Sequence, residues 1–184
     1  GVKLDDGTLI PTDILIIGIG IIPNQELAEN AGLDCNNGIL VNDKGITSDQ
    51  SIFACGDCTN HPNKFLNKNL RLESVQNALE QSKVVAANIV GQEEKYEVVP
   101  WFWSDQYDQK LQIVGMPEEH DEVVKREYAD GFSLFYLSNK TIISVTTVNN
   151  PREFLICKKL VEKKVKISSD ILTNTANDLN ELVK

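Results

Sequence analysis

The sequence predicts an α/β segment followed by an α+β domain with a small antiparallel sheet and helices. Three observations carry this. The apolar run Asp13-Ile14-Leu15-Ile16-Ile17-Gly18 has the unbroken character of a parallel strand buried on both faces. After Pro100 the pattern changes to period-two alternation over residues 111–114, 132–137 and 142–148. A helical pattern opened by Pro151 then closes that second region.

Each element has a local reason. Asp5-Asp6-Gly7 lies between two short apolar runs and predicts a hairpin turn. Gly20, Pro23 and Asn24 end the run at 14–18. Asn24 is placed to N-cap a short helix over 25–30, which Gly32 terminates. A second hairpin is expected around Asn42-Asp43-Lys44-Gly45, and a short buried strand over 52–55. Residues 61–69 are polar, contain Pro62 and read as a loop. Ser74 precedes Val75, Ala78, Leu79, Ser82, Val85, Ala86 and Ile89 at helical spacing, with Gly91 as the stop. The charged stretch 92–99 marks a domain boundary. Beyond it, Asp130-Gly131 and Asn139-Lys140 join the alternating runs into an antiparallel meander. The helix from Pro151 through Lys164 puts Phe154, Cys157, Leu160 and Val161 on one face. Ile171, Leu172, Leu179 and Leu182 fall in short terminal helical turns.

The 184 residues are 41% hydrophobic, enough for one or two domains with real cores. The mean hydropathy of -0.22, with no long apolar stretch, predicts a soluble, cytoplasmic protein. The net charge of -9 argues against nucleic acid as main partner, and the lack of an apolar stretch of about 20 residues predicts no membrane partner. Arg152, Lys158, Lys159, Lys163, Lys164 and Lys166 nevertheless cluster, as a solvated helix face or a landing site for an acidic partner.

Gly56-Asp57 ends the predicted strand at 52–55. Gly56 lets a ligand approach the backbone, and Asp57 offers two acceptor oxygens to hydroxyls. The helix capped by Ser74 follows, and its free first-turn amides favour an electron-rich group. Cys55 and Cys58 flank the pair as C-x-x-C. A redox dithiol needs a low-pKa thiol, whereas Asp57 between the two is expected to raise it, so two inert residues are preferred. The two histidines and the lack of a second Cys pair predict no metal site.

Four segments carry a family likeness. They are Thr12-Asp13-Ile14-Leu15-Ile16-Ile17-Gly18-Ile19-Gly20 with Pro23-Asn24, and Thr47-Ser48-Asp49 with Ile52-Phe53-Ala54-Cys55-Gly56-Asp57-Cys58. The others are Arg71 with Glu73-Ser74-Val75-Gln76-Asn77-Ala78, and Val99-Pro100-Trp101-Phe102-Trp103-Ser104-Asp105-Gln106. Through them the chain resembles the C-terminal portion of the FAD-dependent ferredoxin reductases of the putidaredoxin and rhodocoxin reductase type, in the pyridine nucleotide-disulfide oxidoreductase superfamily.

The resemblance implies NAD(P)H as hydride donor, FAD as cofactor and a ferredoxin-like iron-sulfur protein as electron acceptor. It implies that residues 1–22 end an NAD-binding domain, 23–99 are the C-terminal half of an FAD-binding domain, and 100–184 are a reductase C-terminal domain. The resemblance further places Gly56 and Asp57 at the ribityl chain and the Val75 amide at the pyrimidine edge of the flavin. Trp101 and Trp103 would lie by the isoalloxazine, with Trp103 in the stacking position, and Gly18 and Gly20 near the nicotinamide cofactor. No catalytic side chain is implied within the chain.

Neither G-x-G-x-x-G loop of such enzymes is present. The FAD pyrophosphate and adenosine sites and most of an NAD domain are therefore expected outside these residues. The chain alone is expected to hold no FAD and to dimerise through unpaired strand edges. The alternatives are a non-catalytic folding or dimerisation module, or a C-x-x-C disulfide reductase.

Overall fold

The computed structural model describes residues 1–183. The predicted first hairpin forms as β1 (Val2–Lys3) and β2 (Leu9–Ile10). The next segment departs from expectation. Residues 14–22 form no strand, and Ile16 and Ile19 stand 89% and 91% exposed. A parallel strand draws its hydrogen bonds from neighbours on either side, and no described segment supplies them.

Helix α1 (Glu26–Asn30) is capped by Gln25 rather than Asn24, with no side-chain cap bond. Gly32, at φ +77°, ends it: the amides of Gly32 and Leu33 return to the carbonyls of Glu29 and Ala28.

Strands β3 (Ile39–Leu40), β4 (Thr59–Asn63) and β5 (Lys68–Arg71) make a three-stranded sheet in that order. β3 and β4 run parallel, β4 and β5 antiparallel. The polar stretch 61–69 is thus a hairpin and not a loop. Pro62 is tolerated because β3 ends opposite Asn60, so no strand asks for an amide hydrogen on that side. The turn at 42–45 forms, with the Asn42 side chain accepting from the Lys44 and Ile46 amides, but no ladder follows it. The expected strand at 52–55 reduces to one bridge between Phe53 and Ile46.

Helix α2 (Val75–Ile89) begins where predicted. The Ser74 hydroxyl accepts from the Asn77 amide at 3.1 Å, and Gly91 closes the helix at φ +84°. Its orientation is the surprise. Gln76, Asn77, Gln81 and Val85 are buried, while Val75, Leu79 and Ile89 face outward. Asn77 and Gln81 turn inward because each has a distant partner. The Asn77 side chain accepts from the Tyr96 hydroxyl and donates to the Leu72 carbonyl.

The antiparallel sheet forms and is larger than predicted, but it is not the simple meander expected: the 111–114 run pairs with 142–148 and not with 132–137. β6 (Trp101–Gln106), β7 (Gln109–Gly115), β8 (Glu122–Glu127), β9 (Phe132–Ser138) and β10 (Thr141–Val148) make an antiparallel sheet ordered β6-β7-β10-β9-β8. Helix α3 (Pro151–Glu162) lies across it, two residues shorter than expected because Lys164 takes φ +49°. Asn150 caps α3 through the Glu153 amide, and Phe154, Cys157, Leu160 and Val161 are buried as predicted. α4 (Ser169–Thr173) and a 3-10 turn at Leu179–Val183 bury Leu172 and Leu179.

Register explains which side chains meet α3. Trp101, Val114, Val145, Phe135 and Val124 are direct cross-strand neighbours and form an apolar row. Two residues along, on the same face, Trp103, Gln112, Thr147, Ser133 and Arg126 form a polar one. Arg126 is 3% exposed and ion-paired to Glu153 of α3.

Among the described residues no helix is long and apolar enough to cross a membrane.

Candidate functional site

A cleft of about 720 Å³ opens where α2 meets the edge of the large sheet. Val75, Gln76 and Leu79 supply one wall, Trp101, Trp103 and Val99 the other, and Lys64, Lys158 and Lys164 stand at its rim. The sequence therefore brings Val75, Trp101 and Trp103 to one place from elements far apart in the chain.

The aromatic wall is ordered by the sheet. Trp101 and Trp103 are two apart on β6, so both rings lie on one face, with centroids 5.5 Å apart and planes inclined by 30°. Trp101 is the inner ring: it packs on Phe154 of α3 at 5.8 Å and carries the Lys158 ammonium 4.3 Å above its face. Trp103 is the outer ring, 39% exposed and lining the cleft. Lys164 sits over Phe65 at 5.0 Å, and Lys64 pairs with Glu97 at 2.9 Å. Part of the basic cluster thus borders the cleft, whereas Lys163 donates to the Val183 carbonyl.

The other wall offers backbone donors. Ser74 occupies the Asn77 amide, and the Val75 and Gln76 amides precede the first intrahelical bond. Gln76 is buried against the cleft, and its Oε1 has no partner among the described residues.

Gly56 and Asp57 sit beside the same helix. A Cβ on Gly56 would come within 4.0 Å of the Ala78 Cβ, and Gly56 holds φ +86°, a conformation that favours glycine. The Gly56 amide donates to Gln81 Oε1 at 2.7 Å. Asp57 is exposed, and its backbone carbonyl accepts from Arg71 while its carboxylate has no described partner. Gly18 and Gly20 line no part of the cleft, and no atom lies within 4 Å of a Cβ built on either.

Cys55 and Cys58 are both free thiols, and the Cys58 thiol points to the Cys55 carbonyl at 3.6 Å. Burial pushes the Cys55 thiol up, with Cys58 adding to it. Asp57, expected to be the cause, is not among the groups responsible. A raised thiol is a poor nucleophile at neutral pH.

Sequence reasoning missed Gln81, Gln76 and Arg126. A polar residue on the inner side of a helix carries no local signal. Arg126 had one: it follows Val124 by two residues, on the inward-facing set of β8.

Residues 1–82 match the pyridine nucleotide-disulphide oxidoreductase family model, and residues 101–183 match the Reductase C-terminal model. The chain is 40% identical over 184 residues to putidaredoxin reductase of Pseudomonas putida, covering 99% of this chain and 44% of that protein. It superposes on a ferredoxin reductase for the CYP199A2 system from Rhodopseudomonas palustris with a TM-score of 0.92 and 37% identity, covering 99% of this chain and 46% of that one. The reductase in the crystal structure of the covalent putidaredoxin reductase-putidaredoxin complex gives 0.89 and 40%, covering 97% of this chain and 43% of that one. The chain thus spans less than half the length of the relatives it matches.

Proposed function

We propose, for a chain that belongs to the pyridine nucleotide-disulphide oxidoreductases as the C-terminal portion of a ferredoxin reductase, that the intact protein is an NAD(P)H-dependent FAD reductase. It takes a hydride from the nicotinamide cofactor and passes electrons singly to a ferredoxin-like iron-sulfur protein. Residues 1–22 end its NAD-binding domain, 23–99 are the second half of its FAD-binding domain, and 100–184 form its reductase C-terminal domain. Its compartment is the cytoplasm.

The observation that carries this reading is the shared cleft: an aromatic wall faces a helix N-terminus, and Gln76 of that helix lines the space with Val75 and Leu79. Those features suit the flavin ring end of FAD, and the glycine-lined turn with a free carboxylate suits its ribityl hydroxyls. When bound, FAD supplies the two-electron to one-electron conversion that no side chain here can perform.

The residues of this chain bind and orient. Asp57 accepts from the ribityl hydroxyls beside the bare backbone of Gly56. The Val75 amide, at the positive end of α2, stabilises electron density at the pyrimidine edge. Trp103 stacks on the ring system, while Trp101, held by Phe154 and Lys158, backs it and excludes water. Gly18 and Gly20 close on the nicotinamide cofactor once the rest of that domain is present. The Lys158 and Lys164 rim is the docking edge for the acidic iron-sulfur partner.

A second reading applies to these 184 residues in isolation. The bare apolar segment 14–22 favours self-association of the chain through a second copy, without bound FAD.

The test is colour. The intact protein should purify yellow and bleach with NADH, whereas this chain alone should be colourless. Asp57→Ala in the intact protein should weaken FAD retention about tenfold, the loss of one or two hydrogen bonds. An intact protein that takes up no FAD refutes the proposal, and full flavin occupancy in Asp57→Ala refutes the ribityl role.

A further inference from the structure

We infer that Gln81 is a positioning residue that sets the Gly56-Asp57 turn for the ribityl chain, an inference that rests on the cofactor reading above.

Gln81 is 1% exposed on the inner side of α2. A buried amide there costs free energy unless its polar atoms are used. Its Oε1 is used twice. It accepts from the Gly56 amide at 2.7 Å and lies 2.9 Å from the Thr59 hydroxyl. That hydroxyl is also 2.8 Å from the Gly56 carbonyl, so its single proton is shared between the two acceptors. Both faces of Gly56 are thereby held: its amide by Gln81, its carbonyl by Thr59, whose amide also donates to that carbonyl at 3.0 Å.

The consequence falls on Asp57. Its carboxylate has no described partner, so nothing holds it locally except the backbone from which it projects. Gly56 at φ +86° belongs to the most permissive residue type, which drifts unless tied. Gln81 ties it to α2, the helix that also presents the Val75 amide. The two proposed flavin contacts are therefore mounted on one rigid element, and their spacing is fixed before FAD arrives. Such preorganisation lowers the ordering cost of binding.

The test uses three variants of the intact protein. Gln81→Met keeps length and bulk but removes the acceptor. Gln81→Asn keeps an amide and is too short to reach Gly56. Gln81→Glu keeps an acceptor at the right distance. FAD affinity is measured by titration of apoprotein, and the visible circular dichroism of the bound flavin is recorded at saturation. Met and Asn should weaken FAD about tenfold and alter the flavin dichroism. Glu should bind within threefold of wild type with the native dichroism, which mere bulk in the pocket does not explain. Wild-type affinity in both Met and Asn, with Asp57→Ala weakened, overturns the role of Gln81 and leaves the FAD reading standing. A wild-type apoprotein that takes up no FAD overturns that reading, and this inference with it.

Discussion

Arg126 can be removed with a calculable result. All its N–H groups are engaged. Nε donates to Glu153 Oε2 at 3.2 Å, Nη1 to the Leu172 and Asn174 carbonyls at 2.8 and 2.7 Å, and Nη2 to those of Thr175 and Asn177 at 3.2 and 2.8 Å. Tyr128 bonds to Glu153 beside it, and burial first, then that bond, push its phenol up to about 12. One guanidinium thus fastens the 172–177 tail to the sheet and neutralises a buried carboxylate. Arg126→Met keeps the stem and removes every donor. Breaking a buried pair from one side costs about 3–5 kcal/mol, because the remaining charge is uncompensated. The carbonyls of Asn174, Thr175 and Asn177 add little, since those residues are exposed or half-buried and can recapture water. For a chain of this size the loss lowers the melting temperature by roughly 6–20 °C. Differential scanning fluorimetry reads the shift, and hydrogen exchange should rise first at 172–177. Arg126→Met with Glu153→Met should recover part of the loss, since it removes the stranded charge. A single variant that melts within about 3 °C of wild type, or a double variant no better than the single, refutes this account.

Other perturbations follow from the same geometry. His61 is 1% exposed, with neither ring nitrogen partnered among the described residues, and its ring meets Tyr96 edge-on at 5.1 Å. Burial lowers its pKa from 6.5, so below that pH the unfolded imidazole binds a proton the folded one resists. Stability is full above about pH 6.5 and falls beneath it, by at most about 1.4 kcal/mol per pH unit. His61→Phe should flatten that slope in urea titrations at pH 5, 6 and 7; an unchanged slope places the titration elsewhere. Ser74→Ala removes the α2 cap and should cost about 1 kcal/mol, read from the urea midpoint. In the isolated chain, Ile16→Lys with Ile19→Lys should shift sedimentation from dimer towards monomer, and a monomeric parent chain would show that the bare segment does not self-associate.

What was legible in the sequence was what closes locally. The β9–β10 hairpin and the start of α3 were legible because Asn139-Lys140 turns the chain between two alternating runs and Asn150-Pro151 starts a helix, whereas the place of 111–114 beside β10 rather than β9 carried no local signal. β8 was missed because Glu122, Lys125, Arg126 and Glu127 mask the alternation around Val124. The strands expected at 14–18 and 52–55 were read from apolarity alone. Apolarity describes the environment a strand requires, and a parallel strand cannot provide that environment by itself.

Helix α2 shows where such reading stops. Period 3.6 identified an apolar stripe and Ser74 identified its start, and both hold. Hydrophobic burial alone would turn that stripe inward. Instead Val75 and Leu79 face the cleft, while Asn77 and Gln81 turn to the body of the domain. This costs little because Asn77 and Gln81 meet groups that need them: the Tyr96 hydroxyl and the Leu72 carbonyl for one, the Gly56 amide for the other. Periodicity reports that a helix has two unlike faces. It does not report which face has a neighbour, because the neighbours at Gly56 and Tyr96 are remote in sequence. The apolar stripe left on the outer face, beside a helix N-terminus and two tryptophans, is the surface on which the flavin proposal rests.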